Sequence, residues 1–447
     1  MFSTTASPDN SNLRTVLIVT PHFPPSTLAG VHRARHLAKH LPAHGWRPVI
    51  IRVAETHYTE RPDFALAALV PESVEQIRAD AVPAWLARLA GVGDIGLRAY
   101  VPIRRAIAKA VAETRADAIL ITGSPYPMLL SGWVKRHLKI PVTLDFQDPW
   151  VSGEGATRPK WSKGGFAYRL AVALEPHAVR HADFITSVSD RQNEEMAERY
   201  PWLDRKRMAA IPIGGDAEDF NALRAKPPKQ PQVRLDPQKA NLSYVGTFLP
   251  RAGPLIRTLL QAVRGLKQSH PELAARLQLN FVGTSNQPNR HDSYRIRAIA
   301  QDEGVADLVS ETPQRVPFLE ALHILANSQG LLLIGSDEPH YTASKIYPAL
   351  MSARPYVSLF HHLSSAHGIL ATAGGGKAFA FADLIELSAL IPDIQNALIR
   401  LSTTPESFGR ADPATYAAYT AYSVSGDFAK VLENAAATLE FGEVKHF

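Results

Sequence analysis

Cysteine is absent from all 447 residues. Disulfides and thiolate chemistry are excluded with it, and a reducing cytoplasm suits such a chain. No apolar run is long enough to span a bilayer. The N-terminus, MFSTTASPDNSNLR, lacks the apolar core of a signal peptide and reads as a disordered polar tail over 1–13. The first strand–loop–helix lacks the G-x-G-x-x-G spacing, so a standard dinucleotide fingerprint is missing. The basic residues are dispersed and form no recognised nucleic-acid module, which argues against nucleic acid as a partner despite a net charge of +6 and a pI near 9.3. That charge suits an anionic membrane surface and an ordinary basic enzyme equally.

What is present is an α/β rhythm, repeated. Hydrophobic residues make up 45% and charged residues 20%, a globular balance, and the length calls for more than one core. Thr15–Thr20 (TVLIVT) is continuously apolar, as strands buried on both faces are. A proline-rich loop ending at Gly30 and a helix with apolar spacing from Val31 to Leu41 follow. Gly30 lets a ligand approach the backbone, or is a plain turn glycine. Ala118–Thr122 and Pro141–Phe146 are further strands, and Asp145 and Asp148 lie at or just past the end of the second. A carboxylate there can take a proton or hold a hydroxyl, and Asp148 can equally cap the turn before Pro149. From Trp85 to Lys109, aromatic and aliphatic residues alternate with basic ones, Arg104 and Arg105 among them. Such a segment lies at a membrane surface or packs on a core with a solvated basic face.

The segment from Ala225 to Gln238 is polar and rich in proline, and the rhythm restarts beyond it. The expected division is an N-terminal Rossmann-like domain over 14–224, a linker over 225–240, a second Rossmann-like domain over 241–415, and a C-terminal helix over 416–447 that packs back on the first domain. The fold class is α/β, with two doubly wound domains facing a cleft.

The stretch from Leu331 to Phe360, LLLIGSDEPHYTASKIYPALMSARPYVSLF, is the most informative. It reads as strand, polar loop, helix, strand, with the loop at a strand's carboxyl end, where open α/β sheets bind ligands. Ser344 and Lys345 sit at the helix start, which favours an anion. A plain N-cap and a solvated charge are the alternatives.

Five stretches in order resemble GT-B glycosyltransferases of the family-4-like group: VLIVTPHFPPSTLAGVHRARHLAKHLPAHGWRPVII; IPVTLDFQDPW, similar to a subgroup with DFRDPW; ADFITSVSDRQNEEM with IPIGGDAEDF; LSYVGTFLPRAGPLIRTLLQAV; and the Leu331–Phe360 stretch. The resemblance implies a nucleotide-sugar donor held mainly by the C-terminal domain, a hydroxyl acceptor (which can be lipid-linked) held by the N-terminal one, and a retaining transfer needing neither metal nor cofactor, the nucleotide sugar being substrate. It assigns the donor diphosphate to Ser344, Lys345 and Arg251, with Thr247 and Gly30 close by. Asp148 and Asp145 become the catalytic carboxylates, and Arg33, Arg104 and Arg105 face the acceptor or the membrane. The implied setting is cytoplasmic assembly of a polysaccharide or glycolipid, with peripheral contact at the inner membrane face. The sequence departs from the resemblance at three positions. Pro348 and His340 stand where the family carries glutamates, and Asp337 or Glu338, earlier in the same loop, is the substitute the loop offers for the ribose. Gln147 stands where a histidine is usual. A nucleotide-sugar epimerase and a non-catalytic nucleotide-sugar-binding or scaffold protein are the competing readings.

Overall fold

The computed structural model describes residues 13–89, 91–285, 292–339, 341 and 343–443. The expected tail falls almost wholly outside them, as does His340. The chain forms two compact units, 1–213 with 421–447, and 214–420.

The first unit is built on a parallel sheet of seven strands: β1 (Arg14–Val19), β2 (Trp46–Val53), β3 (Glu75–Ala79), β4 (Ala118–Thr122), β5 (Val142–Phe146), β6 (Phe184–Ser187) and β7 (Met208–Ala210). Their order is β3-β2-β1-β4-β5-β6-β7. The central strands are apolar throughout because helices cover both faces. Ile18 of β1 is flanked by Ile50 of β2 and Leu120 of β4, and all three are fully buried. One covering layer joins α1 (Val31–His40) to the C-terminal helix Ala421–Glu443, whose Val424, Phe428 and Leu432 pack with Val16, Ile18, Leu37 and Trp46.

The second unit repeats the plan with six parallel strands: β8 (Ala240–Val245), β9 (Leu277–Val282), β10 (Val309–Thr312), β11 (Gly330–Ile334), β12 (Tyr356–His361) and β13 (Gly376–Phe381), in the order β10-β9-β8-β11-β12-β13. Both sheets are therefore doubly wound, with the strand order reversing beside the first strand. Loops leaving the two strands at that point diverge and leave room for a ligand at the carboxyl edge. The reversal lies between β1 and β4 in one unit and between β8 and β11 in the other.

Three differences from the sequence reading have local causes. The proline-rich segment is not a free tether. The first unit ends at Ile213, helix Glu218–Ala225 packs on helix Phe318–Asn327, and Val233 is buried against Val282 and Ile324 while its N–H donates to Glu320 Oε1 at 2.9 Å. The basic segment after residue 83 is three helices, Ala84–Leu89, Ile95–Arg98 and Tyr100–Thr114, with Asp94 accepting from Leu97 N to start the second. Finally, the run Gly374–Gly376, which reads as a glycine-rich turn in the sequence, leads into the edge strand β13. Gly374 and Gly375 take positive φ (68° and 74°), and Gly376 begins β13, where a Cβ would stand 2.5 Å from the Tyr356 carbonyl oxygen.

Among the described residues no helix is long and apolar enough to cross a membrane.

Candidate functional site

At the reversal point of the second unit, the loop after β8 meets the loop after β11. Tyr244 lies near the end of β8, buried, and its hydroxyl donates to the Thr247 carbonyl oxygen at 2.8 Å. The same hydroxyl accepts from Lys345 Nζ at 2.7 Å, and the ammonium lies 4.0 Å from the centre of the Tyr244 ring. The chain is consistent in its protons: Lys345 donates, the phenol accepts and passes its own hydrogen to Thr247. Burial raises the Tyr244 phenol and lowers Lys345 to about 7. Lys345 has no carboxylate partner among the described residues. A desolvated ammonium satisfied only by a phenol and a ring face lacks its usual counter-charge.

Ser344 is half-buried beside it, and its hydroxyl bonds no described residue. It is not the cap of the helix, which runs Ile346–Met351 with Lys345 at the N-cap position and no side-chain cap. Pro348 is the third helical residue, within the first turn, where the missing N–H costs nothing. Arg251, on the turn Pro250–Ala252, points its guanidinium at the same loop. It pairs with Asp337 Oδ1 at 2.6 Å and Glu338 Oε1 at 3.3 Å. The structure thus brings Tyr244, Thr247, Arg251, Asp337, Glu338, Ser344 and Lys345 together at one edge. Tyr244 is the member the sequence reading missed, because it sits inside an apolar run and reads as core.

In the first unit the sequence candidates separate. Asp145 is fully buried on β5. It accepts from Thr122 Oγ1 at 2.6 Å and Thr186 Oγ1 at 2.8 Å, and lies 3.2 Å from Arg33 Nε. Arg33 is equally buried, donates to the carbonyls of Ile211 and Pro212 at 2.7 Å each, and lies over Phe428. The expectation that Asp145 is catalytic and Arg33 faces an acceptor or membrane is corrected: they form a sealed ion pair that ties β5, α1 and the segment after β7 together. Asp148 is exposed to solvent, yet protein crowds it enough for desolvation to raise its carboxyl pKa, a shift that water contact limits. Gly30 is half-buried at the start of α1, and its carbonyl accepts from Gln147 Nε2 at 3.1 Å. Arg104 and Arg105 are exposed, Arg104 lying over Trp133 at 5.0 Å.

Two further residues meet at the carboxyl end of β1. His22 Nδ1 lies 3.2 Å from Glu60 Oε1 and 3.3 Å from Ser26 Oγ, and Ser26 Oγ donates to the same carboxylate. Burial alone would raise the Glu60 carboxyl, but the hydrogen bonds from His22 and Ser26 outweigh it and hold it at about 2. Neither residue stands out in the sequence, since the loop reads as proline-rich connection.

Residues 29–214 match the family model described as glycosyl transferase 4-like domain. No curated protein sequence matches the chain. Among solved structures, Anabaena HepE in complex with UDP-glucose is similar at 15% identity and a TM-score of 0.59, over 94% of this chain and 99% of HepE. Trehalose-6-phosphate synthase OtsA is similar at 12% identity and TM-score 0.59, over 95% and 99%. WaaG, a glycosyltransferase involved in lipopolysaccharide biosynthesis, is similar at 13% identity and TM-score 0.52, over 95% and 99%. Over residues 29–214 the chain is thus similar to the glycosyl transferase 4-like domain, and over nearly its whole length it has the α/β fold of GT-B glycosyltransferases.

Proposed function

We propose that this protein transfers a sugar from a nucleoside-diphosphate donor to a hydroxyl acceptor. The observation that carries the reading is Lys345. It is a desolvated cation without a counter-anion among the described residues, at the strand-order reversal of an α/β sheet, with Ser344 and Arg251 in the same group of loops. Breaking the bond between the sugar and the diphosphate leaves negative charge on the phosphate, and fixed donors placed there stabilise the transition state more than the ground state. The glycosyl transfer 4-like match and the UDP-glucose held by HepE support the choice of donor class. Lys345 and Arg251 meet the leaving diphosphate in place of a metal, and Glu338 or Asp337 reaches the ribose. The subgroup with a DFRDPW-type motif, a retaining outcome and a role in polysaccharide or glycolipid assembly follow the sequence resemblance. A panel of nucleotide sugars, assayed for nucleoside-diphosphate release with EDTA present, tests the reading. Turnover of at least one donor is expected; no turnover of any overturns it.

The proposed membrane contact rests on helix Ala84–Leu89 and its neighbour. Trp85 is 70% exposed and Leu89 80%, and Arg88 on the same helix and Arg104 and Arg105 on helix Tyr100–Thr114 are exposed as well. Exposed apolar residues together with exposed cations suit an anionic bilayer. Flotation with liposomes containing anionic lipid should carry the protein, and Trp85→Ala with Leu89→Ala should release most of it. Equal flotation of wild type and variant would remove the membrane role from this patch.

A further inference from the structure

We infer that the second unit carries a second ligand site: a basic cleft at the amino-terminal edge of its sheet that takes a small phosphorylated, hydroxyl-bearing molecule of the sugar-phosphate class. The inference does not depend on the transferase reading.

Its place follows from the topology. Asn241 is the second residue of β8, Gln329 immediately precedes β11, and Arg354 lies two residues before β12. These are the amino ends of three neighbouring strands. Lys345 follows the carboxyl end of β11, so the length of that strand, about 16 Å, separates the cleft from the Lys345 loop. The hollow between these strand ends and the segment 231–239 has a volume of about 850 Å³, the size of a small-molecule site rather than of a lone phosphate.

Arg234, Lys239, Arg354 and His323 line the cleft, and no described aspartate or glutamate does. Arg354 Nε donates to the Ala326 carbonyl at 2.7 Å, which leaves its two terminal nitrogens for an oxyanion. Lys239 Nζ donates to Gln278 Oε1 at 3.3 Å and keeps two hydrogens. Arg234 is exposed and bonds no described residue. The acids of the surrounding elements are engaged elsewhere. Asp236 Oδ1 takes the Gln238 N–H at 2.9 Å, Glu320 takes the Val233 N–H, and Asp307 pairs with Lys267 at 2.7 Å. Asn327 Nδ2 donates to His323 Nδ1 at 3.1 Å, so the ring hydrogen sits on Nε2, a fourth donor.

Two amides complete the lining and speak for hydroxyls. Asn327 Nδ2 also donates to the His323 carbonyl at 2.8 Å, and Gln329 Nε2 donates to the carbonyls of Leu401 at 3.3 Å and Ser402 at 2.7 Å. With their donors committed, these amides have oxygens to offer. An amide oxygen repels a phosphate and accepts from a hydroxyl. Four donors and two acceptors therefore fit a ligand that carries both groups. The segment bearing Arg234 and Lys239 is also held in place, since Val233 is buried and Asn241 Nδ2 donates to the carbonyls of Asp236 at 2.6 Å and Lys239 at 3.0 Å. A fixed loop loses little entropy on binding. Strapping the unit together accounts for Val233 and these backbone bonds, but not for cations gathered around one hollow.

Calorimetric titration of the full chain with glucose 1,6-bisphosphate, and separately with inorganic pyrophosphate, tests the cleft. The sugar bisphosphate should bind wild type at least about 10-fold tighter than pyrophosphate, because it alone has hydroxyls for the amide oxygens. Arg354→Ala should weaken it by about 10- to 100-fold, the weight of one charge-assisted hydrogen bond. Arg234→Glu, at an exposed side chain whose replacement leaves the fold intact, should weaken it by at least as much. Lys345→Ala should bind it as wild type does. No binding by wild type, equal affinity for the two probes, or full affinity in Arg234→Glu and Arg354→Ala overturns the site. Loss of binding in Lys345→Ala alone would put the ligand at the Lys345 loop and overturn it too. Nucleotide-sugar turnover plays no part in the readout, so failure here leaves the transferase reading standing.

Discussion

Replacing Lys345 by alanine should lower kcat/KM for the nucleotide sugar about 100- to 1,000-fold, the range found when one preorganised donor to a developing oxyanion is removed. The expectation follows from what Lys345 touches. Among the described residues its ammonium has Tyr244 and no carboxylate, so no ion pair between them is lost with it. Removing a desolvated charge should leave the thermal midpoint unchanged or raise it, which separates loss of function from loss of fold. Arg251→Ala should cost less, because Asp337 and Glu338 already share its charge and its side chain is half exposed. A Lys345→Ala protein with a normal melting curve and normal kcat/KM would remove the diphosphate from this loop.

The second large effect is on stability. Arg33→Ala should destabilise the protein by about 3–5 kcal/mol, the cost of breaking a buried pair from one side. The substitution leaves Asp145 sealed with only two threonine hydroxyls and strips the donors from the carbonyls of Ile211 and Pro212. Asp145→Asn in the same background should recover part of the loss, because the uncompensated charge is gone. Urea midpoints of the two single variants and the double variant measure this. A shift under about 1 kcal/mol for Arg33→Ala, typical of a solvated surface charge, would contradict the sealed pair.

These two residues also show where the sequence speaks and where it does not. Central strands such as β1 and β4 are apolar throughout, so their existence is legible, and with the proline-rich loops and helices between them they imply two doubly wound sheets. β3 (EQIRA) is polar and mostly exposed at a sheet edge, so periodicity passes over it. Lys345 is legible because a lysine after a strand and a polar loop is a familiar anion signal. The depression of its pKa is not, because it comes from burial, which only the fold decides, and its partner Tyr244 stands 101 residues away in the chain. Arg33 and Asp145 fail in the opposite sense. Charges at a helix start and a strand end look functional, and only the fold shows that each is buried against the other. His22 and Glu60 join loops on two sides of β2, and nothing local in either loop announces the other. The departures at Pro348 and Gln147 have structural answers. Pro348 falls in a first helical turn, and Gln147 holds Gly30 and Thr122 through Nε2.

The central claim is that the Lys345 loop holds a nucleoside diphosphate, and calorimetric titration of UDP near pH 8, in two buffers of different ionisation enthalpy, tests it most directly. Burial places the free Lys345 ammonium at about 7, so at pH 8 it is mostly neutral. A bound diphosphate favours the charged form and raises that value. Binding should therefore take up a proton, and affinity should fall as pH rises through 7. Wild type is predicted to bind with net proton uptake and Lys345→Ala to bind weakly without it. No binding by wild type, or equal binding and equal proton uptake in the variant, would contradict the account.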